Sequence, residues 1–318
     1  MSRARDLLRE IVEVRGRRSS DLPTGELIMR LLELEAAFEK RADLPGQVLK
    51  YFPVALVALM ESYFRLVVKE LVDHGDPYLA NAEPLFSGGK LDFRLLHALH
   101  GKRVSLGDVI AHTLPLSSLS HVNSHVSTLL GRDFLGELRT VTDRWAHEIE
   151  RKPDVPILTD PDKTFAQVAR TFELRHIICH EAATAFEVQP SDIEETFVGT
   201  SLFLKASREL ITNILHPGAP LTQTEMNIEA SNALKDTLSQ LQSRQETIQA
   251  RLPHDQVVAF NAANAAWKQA MEAWATFVAE MYKGGTIQPL IYANAADSMA
   301  KLRLQQLSAY SKHLSEEP

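Results

Sequence analysis

A single cysteine, Cys179, serves all 318 residues, which excludes an intrachain disulfide and any zinc site built on thiolates. Also missing is an uninterrupted apolar run of the roughly 18 residues that a membrane span needs. No segment shows the strict period-two alternation of a half-buried strand. The first residues, MSRARDLLREIVEVRGRR, carry charge throughout and lack the apolar centre of a secretory signal. Cytoplasmic residence, with no membrane partner, is the resulting expectation. An excess of positive charge is lacking as well: the formal net charge is −7, so any nucleic-acid site has to be a local cluster of cations.

What the chain does have is helical periodicity. Arg3 to Arg15 reads as a short charged helix, and Leu27, Leu31, Leu34 and Phe38 recur at helical spacing between Thr24 and Lys40. The stretch from Leu49 to Asp73 is so apolar in its first half that it predicts a helix buried on most of its circumference. Glu61 and Arg65 stand out in it, four residues apart, and read either as an intrahelical ion pair or as functional groups. Ser105 is placed to cap a helix. The proline- and aspartate-rich stretch from Lys152 to Lys163 predicts a loop, with Asp162 or Thr164 capping a helix from Phe165 to Phe186. Ser191 is the expected cap of a further helix reaching Ile214.

His216-Pro217-Gly218-Ala219-Pro220 is the clearest linker. Beyond it, patterns from Glu225 to Arg251, Gln256 to Tyr282 and Ile287 to Leu314 predict a helical hairpin plus a third helix. Trp267 and Trp274, seven residues apart, are expected as core anchors on one face. The fold class is all-α, with amino-terminal helices in 1–45 packing on a bundle in 46–216, a linker at 217–221 and a three-helix domain in 222–318. His97 and His100, and His121 and His125, have spacings that metals use, yet no carboxylate or cysteine is placed to complete either site. No metal and no cofactor are expected.

The chemistry concentrates in Leu174-Arg175-His176-Ile177-Ile178-Cys179-His180-Glu181. At about 100° per residue, Arg175, His176, Cys179, His180 and Ala183 share a sector of roughly 140°, while Leu174, Ile177 and Ile178 face the other way. Cys179 reads as a small packing residue. Histidine exists in both protonation states near neutrality, which suits proton transfer, and arginine offers a permanently charged planar fork that suits phosphate. Arg175 and His180 point about 140° apart on one helix. Two copies across a two-fold axis would bring both pairs around one phosphodiester.

Arg175 and His180, with Phe172-Glu173-Leu174 before them and the helix Val54 to Val72 carrying Glu61, resemble the R-x4-H signature of HEPN domains over roughly Gly46 to His216. The resemblance implies a metal-independent endoribonuclease of the toxin or abortive-infection kind, dimeric through the motif helix. RNA is the implied substrate, and an antitoxin or regulatory protein a further partner. In that reading His180 is the catalytic acid or base, Arg175 the phosphate clamp, His176 their polar companion, and Glu61 orients Arg175. The alternative is a non-catalytic protein whose HEPN half dimerises or binds RNA or nucleotide.

The carboxy-terminal region resembles the LprI-type lysozyme-inhibitor-like domain. The residues that carry this are Gln223, Met226-Asn227, Ala230, Ala266-Trp267, Gly284-Gly285-Thr286, Pro289, Ile291-Tyr292-Ala293, Arg303 and Leu307. Where that family has stapling cysteines, Glu229, Ala275 and Ala295 or their neighbours stand here, and Met271 replaces a common arginine. The scaffold is therefore what the resemblance implies, with muramidase inhibition as a third reading.

Overall fold

The computed structural model describes residues 3–17, 23–86, 93–101, 104–181 and 188–316. It is all-α, and no strand occurs among the described residues; an isolated bridge pairs Thr142 with Pro156. The chain divides into two compact units, 1–217 and 218–318.

In the amino-terminal unit α1 is Arg3–Gly16, α2 Pro23–Glu39, α3 Gly46–Leu49 and α4 Tyr51–His74. Short helices follow: α5 Tyr78–Asn81, α6 Phe93–His100, α7 Leu106–Thr113, α8 Leu119–Leu130 and α9 Phe134–Leu138. Two long ones complete the unit, α10 Pro161–His180 and α11 Pro190–Leu215. Helix α4 is the hub, packing against α2, α5, α7, α8, α10 and α11. Leu56, Met60, Phe64, Val68 and Leu71 on it are fully buried, and Phe64 meets Phe134 and Phe203 at ring-centroid distances of 5.8 Å each. By length and hydropathy alone, residues 46–74 are apolar enough to cross a membrane. Glu61, Arg65, Lys69 and Glu70 interrupt that run, and most of it is buried inside the unit.

Helix starts follow local chemistry. Ser105 caps α7 in a reciprocal box, accepting from the Asp108 amide at 3.1 Å while Asp108 accepts from the Ser105 amide at 2.7 Å. Two expected caps are corrected. Asp160, not Asp162 or Thr164, caps α10 by accepting from the Lys163 amide at 3.0 Å. Gln189, with no side-chain cap bond, precedes α11 where Ser191 was expected. In both cases a proline occupies the first helical position, where its fixed φ and missing N–H cost nothing. The far end of α10 is also corrected: it stops at His180, because Glu181 turns extended at φ −103° and ψ 136°. The rest of the predicted extension, 182–187, lies outside the described residues.

The carboxy-terminal unit consists of α12 Gln223–Gln249, α13 His254–Glu280 and α14 Gln288–Glu316, with α14 packed along both others. Its seam is built from small side chains: Ala275, Ala296 and Ala300 are fully buried beside Met271, with Leu241, Ile248 and Leu307 at the other end. Small residues let helix axes approach closely, so dispersion contacts replace bulk.

Candidate functional site: the last turn of α10

Helix α10 buries Val168, Phe172 and Leu174 and contacts α4, α8 and α11. That apolar stripe fixes which residues of the last turn face outward. Arg175 is half-buried, while His176, Cys179 and His180 are exposed. Cys179 is therefore not the packing residue expected of it. Ala183, the remaining member of the predicted sector, lies outside the described residues.

Arg175 Nη1 lies 3.1 Å from His180 Nε2. The helical wheel separates the two, but an arginine is long enough to span a turn, and the helix ends at His180. The pair therefore meets within one chain. A guanidinium only donates, so Nε2 must be the acceptor and the imidazole proton sits on Nδ1. The His176 ring lies 5.4 Å from that of His180, tilted by 46°, and its Nε2 is 3.9 Å from Glu181 Oε1.

Three of the four nominated residues thus converge. Glu61 is half-buried on α4, and among the described residues no hydrogen bond or ion pair links it to Arg175. The Glu61–Arg65 pair does not form either, because Arg65 Nη1 donates to the Ala111 carbonyl at 2.8 Å and ties α4 to α7. Glu173 is taken up by Arg170, which bridges to Asp192 of α11 at 3.0 Å. No carboxylate among the described residues pairs with the Arg175 guanidinium. Glu181 is the residue that sequence reasoning left without a role, since a helix continuing past it would have turned it away from His176.

The spaced pair His121 and His125 is engaged locally. His125 Nε2 meets the Pro115 carbonyl at 3.0 Å and His121 Nδ1 meets Ser117 Oγ at 3.4 Å. Burial lowers the His125 pKa, with the Pro115 contact opposing it.

In the carboxy-terminal unit the polar residues singled out in the sequence act as ties. Asn227 Nδ2 donates to the Thr286 carbonyl at 3.0 Å, joining the start of α12 to the turn before α14. Gln223 Nε2 donates to Asn227 at 2.9 Å, and Arg303 Nη2 donates to Asn264 at 2.8 Å, joining α14 to α13. Ala230, Ala293 and Leu307 are buried.

Residues 217–307 match the family model of lysozyme inhibitor LprI. The LprI segment is under a third of the chain. Within it Met271 and Ala275 are buried in the seam, so positions that are polar or cysteine in the resemblance serve here as apolar packing. Trp267 packs between the two halves of that seam. Trp274 does not: it is 50% exposed, beside Phe277 at 69% and Met281 at 84%. No curated protein and no solved structure matches the chain.

Proposed function

We propose that the amino-terminal unit is a metal-independent endoribonuclease of the HEPN kind, toxic or abortive in effect, acting in the cytoplasm as a homodimer joined through α10. The observation that carries this is the exposed Arg175–His180 contact, an arginine fork and a basic imidazole nitrogen 3.1 Å apart with no carboxylate on the fork among the described residues.

In the free chain the guanidinium occupies the His180 Nε2 lone pair. An incoming phosphodiester offers the guanidinium two anionic oxygens, a better acceptor in a bidentate, charge-assisted geometry. The fork moves to the phosphate, and Nε2 becomes free to take the proton of the ribose 2′-hydroxyl. The 2′-oxygen attacks phosphorus and the bond to the 5′-oxygen breaks. A protonated histidine of the second copy returns a proton to that oxygen. The products are a 2′,3′-cyclic phosphate and a 5′-hydroxyl. Two arginines facing one phosphate stabilise its developing charge, and His176 holds the imidazole in place.

The test is incubation of the purified full chain with total RNA in excess chelator. Cleavage leaving cyclic phosphate ends is expected, and it disappears in His180→Ala while the helical circular dichroism is retained. Intact RNA would leave the non-catalytic dimerisation or RNA-binding reading in its place.

A second reading concerns the carboxy-terminal unit alone. The LprI match and the exposed Trp274 and Phe277 favour a protein-binding role, which would make this unit the module that restrains or targets the nuclease. A lysozyme turbidity assay checks whether its partner is a muramidase; undiminished lysis excludes that partner.

A further inference from the structure

Between α2, α4 and α11 lies a cleft of about 280 Å³ whose walls include Leu27, Leu31, Leu59, Leu202 and Leu204. None of its lining residues belongs to the α10 motif. Five polar or charged side chains, Glu35, Tyr63, Ser201, Lys205 and Arg208, also line it.

On these helices Ser62 donates to the Ala58 carbonyl and Thr196 to the Asp192 carbonyl one turn back, while the Ser207 hydroxyl of α11, outside the cleft, is buried with no partner among the described residues. The Ser201 hydroxyl is buried with no partner at all, and a buried polar group left unpaired is the exception in folded proteins. Arg208 is half-buried, and among the described residues no hydrogen bond or ion pair engages its guanidinium. Lys205 on the same rim is already paired with Asp143 at 2.7 Å. Tyr63 is 8% exposed, and desolvation holds its phenol protonated far above the ordinary range, so it stays a neutral donor. Glu35 also lines the cleft from α2; among the described residues no ion pair joins it to Arg208, and its charge weakens the pull on any anion.

We propose that this cleft binds an amphipathic monocarboxylate, its apolar body among the leucines and its carboxylate on Arg208, with Ser201 donating to the second oxygen. The volume admits a chain on the order of eight to ten carbons at roughly 30 Å³ per water-sized group. This site is independent of the nuclease reading.

Octanoate and 1-octanol, titrated separately into the full chain by calorimetry and thermal shift, share a body and differ in the head. Octanoate is expected to bind at least about tenfold more tightly than the alcohol, the margin of a charge-assisted contact. Arg208→Gln should erase that difference, and Ser201→Val should weaken octanoate alone. Leu202→Trp should fill the cleft and abolish both; if it fails to fold, the Arg208 and Ser201 variants still decide. Equal binding of acid and alcohol, octanoate affinity unchanged in Arg208→Gln, or no binding of either overturns the proposal. In the last case a fall from dimer to monomer in Leu202→Trp would assign the cleft to contact between copies.

Discussion

Arg175 donates to an imidazole, whereas Arg170, five residues earlier, holds two carboxylates. That contrast separates a group available to a ligand from one spent on joining helices. If the guanidinium acts through its fork, Arg175→Lys keeps the charge and loses the paired hydrogen bonds. RNA cleavage is then expected to fall at least about tenfold, while His180→Ala, which removes the proton acceptor, costs about 100-fold or more. Single-turnover cleavage of a labelled RNA measures both. Cys179 lies exposed between the two histidines, yet nothing in the proposed chemistry calls for a thiol. Cys179→Ser should cleave at the parental rate, and a large loss would mean the mechanism has been misassigned.

At the scale of helices, Gly107 enforces a close approach between α7 and the hub helix α4. A Cβ on Gly107 of α7 would run into the Lys69 carbonyl and the Asp73 carboxylate of α4, the same carboxylate that accepts from the Gly107 amide at 3.0 Å. Gly107→Ala should lower stability by about 1–3 kcal/mol as overpacking against fixed backbone. Gly25→Ala, in the exposed first turns of α2 with open space around it, should raise stability by up to about 1 kcal/mol. Urea midpoints of the two variants give the comparison. In the other unit, Asp297 is 8% exposed and bonds Thr237 Oγ1 at 2.6 Å and Lys301 at 2.7 Å. Burial, which raises its pKa, is outweighed by these partners, so the carboxyl titrates below its ordinary range. A group lowered by folding stabilises the fold while ionised. Its contribution is full above the unfolded value of about 4 and drains away as pH falls through the lower folded value. Asp297→Asn should remove that acid sensitivity from the melting of residues 218–318.

These elements also explain what could be read in advance. The hub helix was legible because a run buried on nearly every side leaves an apolar signature that no surface helix has. The helix starts at Asp160 and Gln189 were missed although Pro161 and Pro190 marked them: proline fits the first helical position, so the boundary residue is the one before it. Convergence of Arg175 with His180 was not legible, since a wheel assigns directions to side chains but gives neither their reach nor the point where the helix stops. Trp274 was misread for a related reason. It shares a seven-residue spacing with Trp267, but α13 buries the stripe of Met271, Ala275 and Ala279, and Trp274 sits about 100° round from Ala275.

On the scale of the whole chain, two units each carry their own apolar interior. Residues 218–318 expressed alone should therefore keep their helical circular dichroism and melt cooperatively. A fragment lacking cooperative melting would show that the alanine seam is too thin to stand by itself. That seam has one more implication. A small extracellular scaffold that depends on disulfide crosslinks loosens when glutathione reduces them, whereas methyl groups have no oxidation state to lose. A three-helix unit closed by Ala275, Ala296 and Ala300 would be equally durable in oxidising and reducing surroundings.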